Sequence, residues 1–134
     1  MFIDRIKDVR HVMEENDDEA LLLSEVADLP NFTGYEAMPL ERLTMLVLPR
    51  EGQPKLIIPA LEAPRVQEQP EIFSLHPWKE SEDPIAILVE ELGASRSVAV
   101  GDTTWTRFTI ELLNQLPNLR LSRANSITSI IRSK

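Results

Sequence analysis

The chain has 134 residues, 43% of them hydrophobic, and its 22 Asp and Glu against 14 Lys and Arg give a formal net charge of −8. This length fits one domain, and an acidic chain without a basic stripe argues against a nucleic-acid partner. It has no cysteine, which excludes disulfides, cysteine zinc sites and thiol nucleophiles. The first residues lack the build of a signal peptide, and no apolar run approaches the ~20 residues that span a bilayer. We therefore expect a cytoplasmic protein with no membrane partner.

The first half of the chain predicts one helix and three strands. Apolar residues recur every three or four positions over Phe2–Met13, which is typical of an amphipathic helix. The apolar run Ala20–Leu23 predicts a short buried strand. Two further runs, Leu43–Leu48 and Lys55–Pro59, are joined by a short turn rich in proline and glycine, which predicts an antiparallel hairpin.

Strands and helices alternate in the second half. Asp83 and Pro84 favour a helix start, because aspartate caps free N–H groups and proline needs no donor in the first turn. The predicted strands are Ile72–Leu75, Ser97–Gly101 and Leu119–Leu121, and the predicted helices run from Asp83 to Gly93, from about Trp105 to Leu116, and onward from Ser126. Such alternation implies parallel neighbours covered by helices, and the hairpin adds an antiparallel strand. We expect one α/β domain over residues 1–134, with a mixed five- or six-stranded sheet flanked by helices.

Groups that could carry chemistry are scattered. The four glycines lie far apart, so there is no phosphate-binding loop, and the two histidines fit no metal-ligand spacing. We interpret His11 as a surface residue of the first helix and His76 as a loop residue packed near Trp78. Carboxylates occur in runs, such as 17–19 and 90–91, and such runs are usually solvated.

Two parts of the sequence have a functional interpretation beside a purely structural one. Asp102 lies between a predicted strand and a predicted helix, where open α/β sheets hold ligands, although aspartate there is also a good helix cap. The segment Tyr35–Arg42 has neither helical nor strand periodicity, so it is expected to be an exposed loop. Tyrosine and arginine are common at interfaces; the alternatives are that Tyr35 packs in the core and that Arg42 anchors the following strand.

Seven short segments follow the motif order of one enzyme family across almost the whole chain. In order they are Arg5-Ile6-Lys7 with Val12-Met13, Glu19–Leu23, Asn31–Tyr35, Glu41–Pro49, Pro59–Ala63, Trp78 with Glu82–Pro84, and Arg132–Lys134. The chain resembles the N-terminal domain of the creatinase/prolidase family, which includes Xaa-Pro dipeptidases and aminopeptidases. The segment Pro59–Ala63 is the most specific part of this resemblance.

The resemblance implies a larger metallopeptidase, with a catalytic pita-bread domain that would follow residue 134. That domain would hold a dinuclear site for manganese, cobalt or zinc, whereas this chain is expected to carry no catalytic, cofactor-binding or metal-binding residue. The N-terminal domain would contribute to a homodimer and wall the active-site cleft, with Tyr35 and Arg42 as the cleft or interface residues. The alternatives are a stand-alone small-molecule-binding domain and a scaffolding α/β domain.

Overall fold

The computed structural model describes residues 2–23, 43–65, 73–101, 104 and 106–124. These residues form three α-helices, six β-strands and one 3₁₀ turn. In chain order they are α1 Phe2–Glu15, β1 Ala20–Leu23, β2 Met45–Pro49, β3 Lys55–Pro59, the 3₁₀ turn Ala63–Arg65, β4 Ser74–Trp78, α2 Pro84–Leu92, β5 Ser97–Val100, α3 Thr106–Gln115 and β6 Arg120–Arg123. None of the described helices is both long and apolar enough to cross a membrane.

The six strands form one mixed sheet in the order β4-β3-β2-β1-β5-β6. Only β2 runs against its neighbours: it pairs antiparallel with both β1 and β3. The remaining pairs, β1 with β5, β3 with β4 and β5 with β6, are parallel. The predicted mixed sheet and the predicted hairpin are therefore confirmed.

Helices cover both faces of the sheet. The strand side chains alternate between the faces because the strand period is two residues. In β1, Leu21 and Leu23 pack under α1, whereas Ala20 and Leu22 pack under α2 and α3. All four are at most 2% exposed, which explains why the sequence of this central strand is apolar throughout rather than alternating.

The helix ends follow from local chemistry. The Oδ1 atom of Asp83 accepts a hydrogen bond from the N–H of Ile85 at 3.0 Å, which caps α2, and Gly93 ends this helix with a φ of 55°. Both features were predicted from the sequence. Asp17 ends α1 with a φ of 59°. The N–H of Asp18 then donates to the Met13 carbonyl at 2.8 Å, so the last turn closes as in a Schellman motif.

One predicted strand lies further along the chain than expected. The sequence predicted a strand at Ile72–Leu75 and a loop at His76, but β4 covers Ser74–Trp78 and His76 lies inside it. Pro77 is tolerated because β4 is an edge strand. The Ser74 N–H donates to the Pro54 carbonyl, and the Trp78 carbonyl accepts from the Ala60 N–H, so these two residues face β3. Pro77 lies between them and faces away from β3, where the N–H that proline lacks has no partner strand to pair with. The terminal helix predicted from Ser126 lies outside the described residues.

Candidate functional site

One edge of the sheet gathers most of the strand ends. The carboxyl ends of β1, β3, β4, β5 and β6 lie there, and the reversed β2 begins there; we call it the carboxyl edge. Leu23 and Leu43, the described residues on either side of segment 24–42, are both at this edge. Open α/β sheets bind ligands outside the carboxyl ends of their strands. This edge is therefore the candidate functional surface.

A cleft of about 390 Å³ opens at the carboxyl edge, between the end of β4 and the starts of α2 and α3. We call it the Trp78 cleft. Trp78 and Phe108 line it and are only 8% and 7% exposed. The indole Nε1–H of Trp78 donates to the Leu43 carbonyl at 2.9 Å, a buried hydrogen bond that joins the end of β4 to the start of β2. The aromatic floor of the cleft is thus fixed by packing and by a backbone contact.

Charged side chains surround this floor. Glu82, Asp83 and Glu111 supply three carboxylates and Arg107 one guanidinium, a formal net charge of −2 for the lining. The guanidinium carbon of Arg107 lies 5.5 Å from the centroid of the Phe108 ring, within cation–π range. The cleft offers an apolar floor and charged groups to a partner or ligand. No histidine, serine or threonine lines it, so its described lining provides no nucleophile with a histidine base.

A second, shallower cleft of about 510 Å³ lies beside the ends of β5 and β6. Gly101, Thr104 and Arg123 are part of its lining. Asp102, the predicted ligand-binding or capping residue, falls in sequence between Gly101 and Thr104 but lies outside the described residues. Its role stays a prediction.

The other residues singled out from the sequence have different outcomes. Tyr35 and Arg42 lie outside the described residues, so their predicted roles are untested. His11 is exposed on α1, with Nε2 2.9 Å from Oε1 of Glu15, which confirms the surface interpretation. Within the described ranges, no group of three or more histidine or carboxylate side chains is placed to hold a metal ion.

His76 belongs to a small charged cluster rather than to a loop. Its Nδ1 atom lies 3.8 Å from Oε1 of Glu91, and the Nζ atom of Lys55 lies 3.0 Å from the same oxygen. The sequence had placed Glu91 on a water-facing side of its helix, which is wrong: its side chain is only 19% exposed. The cluster ties α2 to β3 and β4, because Lys55 of β3 and His76 of β4 both approach the same carboxylate oxygen.

Two arginines form hydrogen bonds at the opposite edge of the sheet, where β1 and the strands parallel to it begin; we call it the amino edge. Nε of Arg10 donates to the Pro49 carbonyl at 3.1 Å, and its Nη2 donates to the Gly52 carbonyl. Arg50 donates from Nε and Nη2 to the Asp18 carbonyl at 3.0 and 2.8 Å. The hairpin turn between β2 and β3 is therefore fastened to α1 and to the start of β1.

Asp18 is buried at this amino edge and is only 3% exposed. Its Oδ1 atom accepts a hydrogen bond from the Ser122 hydroxyl at 3.0 Å. Burial raises the pKa of the Asp18 carboxyl above its ordinary value, although the Ser122 hydrogen bond and the charge of Arg50 act in the lowering direction. The sequence had assigned Asp18 to a solvated acidic run, which is wrong for this residue.

Comparison with known proteins identifies the fold. A proline dipeptidase structure from Streptococcus pneumoniae TIGR4 superposes with a TM-score of 0.81 at 20% identity, covering 95% of this chain and 96% of that one. A dipeptidase from Pyrococcus horikoshii OT3 superposes with a TM-score of 0.81 at 26% identity, but the match covers 96% of this chain and only 36% of that one. The second structure therefore contains this fold as one part of a longer chain.

The sequence comparisons agree. An uncharacterized peptidase of Staphylococcus epidermidis is 29% identical over 80 residues, which are 60% of this chain and 23% of that peptidase. The chain therefore matches less than a quarter of that relative's length. The family model described as the creatinase/prolidase N-terminal domain matches residues 5–134. The chain belongs to the creatinase/prolidase N-terminal domain family.

Proposed function

We propose that this chain is the non-catalytic N-terminal domain of a cytoplasmic Xaa-Pro dipeptidase or aminopeptidase. Its partner would be a catalytic domain in the same polypeptide, following residue 134, which would hold the dinuclear manganese, cobalt or zinc site. The observation that carries this proposal is the family match over residues 5–134. The Pyrococcus dipeptidase supports it, because nearly two-thirds of that solved chain lies outside the matched domain.

Within the parent, the carboxyl edge would wall the active-site cleft and contribute to a homodimer. Two observations support this edge over the amino edge. At the amino edge, the turn between β2 and β3 is held by the side chains of Arg10 and Arg50, which donate hydrogen bonds to backbone carbonyls. The carboxyl edge instead carries two clefts, and segment 24–42, which contains Tyr35 and Arg42, leaves and rejoins the described fold there.

Kinetics of the full-length parent would test this role. We expect Arg42→Ala to change KM or the preference between dipeptide and tripeptide substrates, because the guanidinium would contact substrate or an acidic group across the cleft. Arg96→Ala is the matched control: Arg96 is an exposed arginine that immediately precedes β5 at the amino edge. Unchanged kinetics with a lower melting temperature in Arg42→Ala would leave only a structural role for this residue.

The chemistry of the chain by itself is a separate test. We expect the purified 134-residue chain to hydrolyse no Xaa-Pro dipeptide when manganese, cobalt or zinc is added, because its described residues bring together no group of metal ligands. Metal-dependent turnover that persists through stringent purification, and that scales with the amount of this chain, would contradict the proposal.

A stand-alone small-molecule-binding domain is a second candidate, and the 510 Å³ cleft beside Gly101 is the observation that favours it. Its volume lies in the usual range of ligand sites. Thermal-shift screening of the purified chain separates the two functions. A ligand at 100 times its Kd should stabilise the domain by about 2.7 kcal/mol, and loss of that effect on Arg123→Ala would locate it in this cleft.

A further inference from the structure

Leu61 is the most exposed large hydrophobic residue among those that the structure describes. Its side chain is 76% exposed, and the next, Ile110 in α3, is 53% exposed. A single apolar side chain at the surface is ordinary in itself. The position of Leu61 is what distinguishes it, because it lies just beyond the end of β3, at the carboxyl edge of the sheet.

The backbone on both sides of Leu61 is held by hydrogen bonds. The Ala60 N–H donates to the Trp78 carbonyl at 2.8 Å, which fixes the start of the turn to β4. The Glu62 N–H donates to the Pro59 carbonyl at 2.9 Å, which closes a four-residue turn with Ala60 and Leu61 at its centre. Small and polar residues are usual at such central positions, so the turn itself does not require a leucine. The fold thus presents a large apolar side chain on a fixed backbone.

The carboxyl edge is also where the described fold ends. The last strand, β6, runs parallel to β5 and ends at Arg123, and Ala124 is the last described residue. Residues 125–134 separate Ala124 from the proposed catalytic domain, and a segment of this length reaches at most about 35 Å. Leu61 follows β3, which lies four strand spacings from β6, or about 19 Å across the sheet. A catalytic domain attached after residue 134 can therefore reach Leu61.

We propose that Leu61 is a contact residue between this domain and the catalytic domain of the parent, where it packs against an apolar part of that domain's surface. The inference rests on the proposed function, because its partner is the catalytic domain that would follow residue 134. The contact removes the apolar surface of Leu61 from water. The fixed turn keeps the loss of backbone freedom on binding small. The contact therefore helps to hold the carboxyl edge against the catalytic domain.

Thermal unfolding of the full-length parent tests the contact, with this domain followed by hydrogen exchange in peptides that cover β2 and β3. Leu61→Glu places a charge in the proposed contact, so we expect the unfolding temperature of this domain within the parent to fall by about 5 °C or more. The same change in the 134-residue chain should shift the unfolding temperature by less than about 2 °C, because the exposed side chain makes little packing contact there.

Ile110→Glu is the matched control. It introduces the same charge at the other exposed apolar side chain, which lies in the middle of α3 rather than at the carboxyl edge. We expect it to shift neither chain by more than about 2 °C. Leu61→Met, which keeps an apolar side chain of similar volume, should retain the unfolding temperature of the unmodified parent. The proposal is overturned if Leu61→Glu affects the parent no more than Ile110→Glu does, or if it destabilises the 134-residue chain as much as the parent.

Two further measurements on the parent identify the partner. Sedimentation should give the same mass for Leu61→Glu and the unmodified parent. A mass reduced to half would mean that Leu61 contacts a second copy of the chain, which overturns the proposal. Hydrolysis of an Xaa-Pro dipeptide reports separately on the proposed function: an inactive parent contradicts that function and the contact with it. An active parent whose unfolding temperature is insensitive to Leu61→Glu overturns the contact alone.

Discussion

Replacing Trp78 by phenylalanine should destabilise the domain mainly through one hydrogen bond. The indole Nε1–H donates to the Leu43 carbonyl at 2.9 Å, and both residues are buried, at 8% and 1% exposure. Removing the donor leaves a buried carbonyl without this partner, which costs about 1–3 kcal/mol. The three ring atoms that phenylalanine lacks add about 1–2 kcal/mol of lost burial and packing. We therefore expect a total loss of about 2–5 kcal/mol in the free energy of unfolding.

Phe108→Leu provides a matched control in the same cleft. Phe108 is 7% exposed and also loses three side-chain atoms in this change, but no side-chain hydrogen bond. The change also removes the cation–π contact with Arg107, which contributes about 0.5–1 kcal/mol, so its expected cost is about 1.5–3 kcal/mol. Urea denaturation, monitored by circular dichroism, gives both free energies of unfolding. An unchanged m value would show that each variant exposes the same surface area on unfolding as the unmodified chain does. If Trp78→Phe costs no more than Phe108→Leu, the hydrogen bond to Leu43 contributes no more than that cation–π contact, and the reasoning fails.

Three further changes are expected to have defined effects in the same urea assay. Asp83→Ala should lower stability by about 1 kcal/mol, because α2 loses its capping oxygen; no change would mean that the cap is replaced by water. Asp17→Gly should raise stability by up to about 1 kcal/mol, because glycine adopts the φ of 59° without strain, and a loss would show that the aspartate side chain matters more than its backbone. Arg50→Ala should lower stability by about 1–3 kcal/mol, since the Asp18 carbonyl loses both hydrogen bonds from the charged guanidinium. An unchanged urea midpoint would show that these hydrogen bonds do not contribute to stability.

Local signals predicted most of the fold. The bounds of β1 and β3 agree with the apolar runs Ala20–Leu23 and Lys55–Pro59. The cap at Asp83 and the stop at Gly93 both lie where the sequence placed them. These elements were predictable because a cap, a glycine stop and an uninterrupted apolar run act over a few neighbouring residues. The order of the strands across the sheet was less accessible, since it depends on contacts between distant segments.

The errors arose where a distant contact overrides a local pattern. Asp18 and Glu91 belong to acidic runs that are normally solvated, but Ser122 and Lys55 from other strands bind them. His76 was assigned to a loop because it follows the strand predicted at Ile72–Leu75, whereas β4 continues through Pro77, which its edge position makes acceptable. The Trp78 cleft could not be derived from periodicity, because three separate elements form it. Asp83 and Pro84 were singled out as a helix start and, with Trp78 and Glu82, through the family resemblance, but not as the lining of a cleft.

The position of Pro77 limits how copies of this domain can associate. Each edge strand of a sheet can add a strand from another chain, and such pairing leads to uncontrolled aggregation. On the outer side of β4, Pro77 supplies a carbonyl but no donor, so an incoming strand would lose a ladder bond there. The opposite edge strand, β6, carries exposed Arg120 and Arg123, whose like charges repel a second copy of itself. Among the described strands, both rims of the sheet therefore disfavour growth by strand addition.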